Sequence, residues 1–194
     1  SKTIAIGIDP LKALTTGIDN IAIGTSVADA LTTGICNVAI GANALGASTT
    51  GCLNIAIGEL AMGAADTTGT NNIAMGQVAM DALTTGLKNI GIGWGALSAS
   101  TTGCDNIAIG RLTMGGTDTT GVNNIAIGNS AMDGLTTGLC NISLGTNALG
   151  AATTGCLNVA IGLQAMGGAD TTGVRNVAIG LGAMDALTSG NNNT

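Results

Sequence analysis

The side chains of this 194-residue chain that can do chemistry are few, and they recur at fixed spacing. Cys52, Cys104 and Cys156 share one position of a long period. Cys36 precedes Cys52, and Cys140 precedes Cys156, by one position less than a full repeat unit. Lys88 stands where the matching partner of Cys104 would be. Cysteines on neighbouring repeats are within reach of disulfides, Cys36–Cys52 and Cys140–Cys156. Free buried thiols fit the same spacing, and the odd cysteine excludes complete pairing within one chain. Asp29, Asp81, Asp133 and Asp185 recur with the same long period. On a stack of repeats, successive members stand roughly 14 Å apart, too far for a shared ion or an acid–base pair. They read as solvated charges that discourage lateral aggregation. Only association about a common axis would gather equivalent acids around a metal. Gly91-Ile92-Gly93-Trp94-Gly95 superficially suggests a phosphate loop, but no lysine follows it and its glycines belong to a repeat.

Composition excludes several classes. There is no His, so His-based triads and His metal sites are absent, and five basic residues cannot line a nucleic-acid groove. The chain is 45% apolar and 8% charged, which argues against disorder. Glycine is abundant (33 residues) but not at every third position, and there is one proline, so collagen is excluded. No nucleophile–base pair is visible, so neither enzymatic activity nor a cofactor is expected. No leader, targeting segment or unbroken apolar run long enough for membrane insertion is evident.

The elements that position these residues are copies of one unit. The pentad N-[IV]-A-[IM]-G starts at Asn20, Asn37, Asn54, Asn72, Asn89, Asn106, Asn124, Asn141, Asn158 and Asn176, and Thr3 opens a variant. Gly91 and Ser143 replace the central Ala in two copies. Most pentads are followed by x-x-A-[LM], and all but the last then by T-T-G; Thr188-Ser189-Gly190 closes the series. Every third unit is longer by one residue and carries D-T-T-G, at Asp66, Asp118 and Asp170. Residues 72–123 and 124–175 agree at 34 of 52 positions, so duplication of a three-unit block is the simplest account; a distinct role for every third unit is the other.

Such a unit is too short for a helix pair. Alternating Ile-Ala-Ile ending in Gly reads as a short strand and a turn, and T-T-G as a second corner. The expected fold is all-β: residues 1–194 as a single repeat domain, a parallel β-solenoid of about eleven coils stacked roughly 4.8 Å apart into a rod roughly 50 Å long. The second segment, as at Asn43-Ala44-Leu45, is expected to be a strand or irregular. The pentad Asn reads as a stacked amide ladder or as a local turn former.

The two Ile-type residues of a pentad face one way and the central Ala the other, and no charge falls within a pentad. A sheet apolar on both faces is buried on both. The Ala row is therefore expected to face outward against other copies of the chain. The competing arrangement turns Ala inward and leaves the Ile row outside. The positions after the pentad Gly vary freely and are expected to be exposed, among them Glu59, Gln77, Trp94, Arg111 and Asn129.

The pentad with T-T-G at a period of 17 resembles the repeats of phage and viral tail-fibre proteins. The pentad alone, as in Asn37-Val38-Ala39-Ile40-Gly41, is similar to the head repeats of trimeric autotransporter adhesins, which are trimers of parallel β-rolls. The resemblance runs from Thr3 to Gly190. It departs in coil length and in aromatics after the pentad Gly, where only Trp94 stands. It implies a homotrimeric fibre on a virion or cell surface that engages a receptor or glycan through the variable positions. Ends without a capping element suggest a fibre segment or end-to-end stacking. The alternative is an ice-binding solenoid that uses its Thr-rich rows.

Overall fold

The computed structural model describes residues 2–194. Its eleven strands are β1 (Ile4–Ile8), β2 (Ile21–Thr25), β3 (Val38–Ile40), β4 (Ile55–Ile57), β5 (Ile73–Met75), β6 (Ile90–Ile92), β7 (Ile107–Ile109), β8 (Ile125–Ile127), β9 (Ile142–Leu144), β10 (Val159–Ile161) and β11 (Val177–Ile179). They pair in chain order as one parallel sheet. Each strand is the pentad, and each pentad lies on its own copy in the next unit. Ile55, Ala56 and Ile57 of β4 face Ile73, Ala74 and Met75 of β5, although this step is one of the longer ones. The chain is thus a parallel β-solenoid of about ten turns.

The pentad glycines follow directly on β3 to β11, and β1 and β2 run one residue past theirs. All eleven have φ between +125° and +142°, a region that side chains disfavour. A Cβ on Gly110 would lie 2.5 Å from the carbonyl oxygen of Gly128. The second segment is neither strand nor helix but a run of turns. Its alternate residues are left-handed, as Leu60 (φ 55°) and Met62 (φ 50°) show. Backbone bonds clamp them to the rungs on either side: Leu60 N–H donates to Ala42 O at 3.0 Å, and Met62 N–H to Ala79 O at 2.9 Å. The stack therefore fixes a conformation these residues would not choose alone.

The pentad Asn is both ladder and turn former. Asn37 Nδ2 donates to Asn20 Oδ1 at 3.1 Å and to the Gly51 carbonyl of its own coil at 2.8 Å, while its backbone N–H also reaches Asn20 Oδ1 at 3.0 Å. These amides are buried from Asn20 to Asn176, and repeated bonding satisfies a polar column that would otherwise be costly.

The central pentad residue points inward, contrary to the outward interface expected of it. Ala22, Ala39, Ala56, Ala74, Ala108, Ala126 and Ala160 are fully buried within the chain. The reason is volume. The facing segments send Leu or Met inward, as at Leu45, Met62, Met80, Leu83 and Leu97, and a coil this short has room for only a small residue opposite. At Gly91 an added Cβ would already lie 3.0 Å from the Met80 methyl. At Ser143 the hydroxyl donates to Ala148 O at 2.8 Å.

The extra residue of every third rung has its own partners. Thr67 is drawn inward and donates Oγ1–H to Leu83 O at 2.8 Å. Asp66 Oδ1 accepts the Thr49 N–H at 2.8 Å, and the pattern repeats at Asp118 with Thr101 and at Asp170 with Thr153. On the next rung Asp81 Oδ1 accepts Ala64 N–H at 3.0 Å. Asp29, Asp81, Asp133 and Asp185 are half-buried rather than freely solvated. Burial raises the Asp81 pKa above the ordinary carboxylate value, against the lowering effect of backbone hydrogen bonds from Ala64 and Gly63.

Candidate functional site

With Ala inside, the outward side chains of every strand are the two Ile-type residues. They form two parallel columns along the rod, from Ile4 and Ile6 to Val177 and Ile179. Copies above and below half-cover most members, but Met75, Ile127, Ile142 and Leu144 remain exposed in mid-rod, and Ile6 and Ile179 are 57% and 68% exposed at the ends. The corner column after T-T-G adds exposed Ile18, Ile35, Leu87 and Leu139. Sequence reasoning put Ala on this face. The inward Leu and Met of the second segment were the signal that could have reversed it, because they fill the space opposite.

The five variable residues lie where expected. Glu59, Gln77, Trp94, Arg111 and Asn129 are all exposed and occupy one column on five successive rungs, next to the strand ends. Two neighbouring pairs are joined: Gln77 Nε2 donates to Glu59 Oε2 at 3.0 Å, and Arg111 Cζ stands 4.9 Å from the Trp94 ring centroid. The column thus offers a carboxylate–amide pair beside a cation–π pair, with Trp94 itself 44% exposed.

The two threonines of T-T-G differ. The first is tied into the frame; Thr32 Oγ1 donates to Thr49 O at 3.0 Å, and Thr84 Oγ1 to Thr101 O at 3.0 Å. The second forms an exposed column that includes Thr33, Thr50, Thr85, Thr102, Thr137 and Thr154.

All five cysteines are free thiols; Cys36 and Cys140 are exposed, and Cys52, Cys104 and Cys156 half-buried. The half-buried thiols bridge two rungs. Cys52 Sγ accepts the Ile35 N–H at 3.4 Å and donates to Thr50 O at 3.3 Å. Cys104 and Cys156 repeat this with Leu87 and Leu139. Among the described residues, no three His, Cys, Asp or Glu side chains come together as a metal site, and no helix is long and apolar enough to cross a membrane.

Comparisons of the chain with protein-family models, with curated proteins and with solved structures gave no match in any of the three.

Proposed function

We propose that this chain is a structural and adhesive fibre segment, a stiff rod displayed on a virion or cell surface that assembles as a homotrimer. The observation that carries the reading is the outward Ile ladder. Two columns about 7 Å apart along roughly 50 Å of rod make an apolar strip of about 350 Å², in the range of the largest patch a monomer ordinarily exposes. Laid against an equal apolar surface of another copy, the strip buries about 700 Å², so a specific interface of about 1,000 Å² needs flanking surface as well. A closed three-fold ring needs two different patches on each chain. The corner column of Ile18, Ile35, Leu87 and Leu139 supplies a second apolar surface. The variable column from Glu59 to Asn129 then serves as the recognition surface, for a receptor or glycan.

The test is to charge the ladder without touching the interior. In the double variant Ile57→Lys and Ile109→Lys, the altered side chains are only partly buried within the chain. The variant should keep the β-rich circular dichroism of the parent and lose self-association. Unchanged assembly would refute the reading.

The exposed Thr column favours a second reading, an ice-binding face with one hydroxyl and one methyl per rung. Thermal hysteresis of the purified chain that is lost in Thr102→Val would support it. Absence of hysteresis in the parent rejects it.

A further inference from the structure

The cysteines are arranged for a selective covalent modification. Leu53 N–H donates to Ile35 O at 3.0 Å, which sets Cys52 directly above Ile35 and makes Cys36 its diagonal neighbour on the rung below. One rung of about 4.8 Å and one step along the chain put the two Cα atoms about 6 Å apart, inside the range of disulfides. The Cys52 side chain already leans toward that rung, with Sγ 3.4 Å from the Ile35 nitrogen, in the residue preceding Cys36. The same relations hold for Cys140 and Cys156, through Leu157 N–H to Leu139 O at 2.9 Å and Leu139 N–H to Cys156 Sγ at 3.4 Å. They hold a third time at Cys104, whose Sγ is 3.4 Å from the Leu87 nitrogen, but Lys88 occupies the partner position. The three partner positions share one backbone conformation, with φ of 56°, 57° and 56° at Cys36, Lys88 and Cys140.

We propose that Cys36 with Cys52, and Cys140 with Cys156, are rung-to-rung dithiols that react with small disulfides and close into two staples, while Cys104, without a partner thiol, enters no protein disulfide. The exposed Cys36 thiolate attacks one sulfur of the external disulfide, forming a mixed disulfide and releasing one thiolate. The Cys52 thiol, once deprotonated, attacks Cys36 Sγ and expels the second thiolate. Two protein thiols are oxidised to one disulfide, and the external disulfide is reduced to two thiols. The cost is the Cys52 S–H donation to Thr50 O; the sulfur remains free to accept the Ile35 N–H. Each closure ties one coil to the next, so oxidation locks the stack against local opening. The geometry lies within one chain, but Cys52 and Cys156 belong to the corner column proposed as the second trimer patch, so the reaction is also run on the unassembled Ile57→Lys, Ile109→Lys variant, in which no neighbouring copy covers them.

The test equilibrates the full chain at low concentration with oxidised glutathione, then counts thiols by iodoacetamide alkylation and maps links by non-reducing peptide analysis. Of the five alkylatable thiols of the reduced chain, four should be lost to links only between the named pairs, with a raised Tm, while Cys104 should be recovered either alkylated or carrying one glutathione that mass analysis detects, and never in a protein link. The variant Lys88→Cys should supply the missing partner, so that six thiols fall to none and a third link, from position 88 to Cys104, appears. Retention of alkylatable Cys36 or Cys140, or a Cys104 left free in Lys88→Cys, would overturn the proposal.

Discussion

The carboxylate of Asp66 receives both the backbone N–H and the hydroxyl of Thr49, at 2.8 Å and 3.0 Å, across one rung of the solenoid. In an ordinary, shorter coil this amide finds a backbone carbonyl, as Thr32 N–H finds Thr49 O at 2.8 Å. In the longer coil the extra residue displaces that carbonyl, and the Asp side chain replaces it. Asp66→Ala removes both bonds and should therefore destabilise the chain by about 1–2 kcal/mol, the net value of two such bonds at an exposed site. Asp66→Asn, which keeps an acceptor oxygen, should lose less. Urea unfolding of the two variants checks the order; equal losses would contradict the role given to the oxygen.

The strand-ending glycines carry a stronger expectation. Gly110 combines a φ of +135° with a carbonyl 2.5 Å from where a Cβ would stand. Gly110→Val should cost clearly more than the roughly 1 kcal/mol of a simple glycine propensity change. Thermal melting of the variant measures it, and a loss under that figure would mean the corner tolerates side chains.

How much of this was legible beforehand follows from what a period reveals. The strands, the parallel order and the glycine corners could be read because Ile-Ala-Ile-Gly recurs at fixed spacing and alternation has only one extended solution. Which face pointed inward could not be read from the pentad alone, since Ile and Ala are both apolar; volume inside the coil decided it. The turn run was also hidden. Leu60, Met62 and Met80 adopt φ near +50°, a conformation their side chains do not advertise and only the hydrogen bonds of adjacent rungs impose. The exposed column was legible because Glu59, Gln77, Trp94, Arg111 and Asn129 vary where the rest of the unit repeats. The pairing of Trp94 with Arg111 was not, because it depends on two side chains one rung apart choosing to stack.

Asp81 gives the chain a pH dependence of definite sign. Its pKa is raised in the folded state, so the fold binds this proton more tightly than the unfolded chain does. The contribution to stability is complete below the unfolded value of 3.8 and is lost as pH rises through the higher folded value. Asp81→Asn retains an acceptor for Ala64 N–H and does not titrate. The Tm of the parent minus that of the variant should therefore fall as pH rises from about 3 to about 7. A difference that grows over this range would contradict the assignment.

Trp94 separates recognition from packing. A cation–π pair at an exposed site is worth about 0.5–1 kcal/mol. Trp94→Ala should accordingly change stability by no more than about 1 kcal/mol, while the proposed adhesive role requires that it weaken binding to cells or a glycan array by a factor of about ten or more, as loss of an aromatic contact does. A large fall in Tm with attachment intact would assign the indole to packing instead.

The central claim is that the outward Ile ladder, and not the Ala row, is covered by other copies of the chain. Static light scattering of the purified protein at several micromolar concentrations tests it most directly. The account predicts a concentration-independent mass of about 56 kDa, three chains of 18.6 kDa. A mass that stays at 18.6 kDa throughout would contradict it.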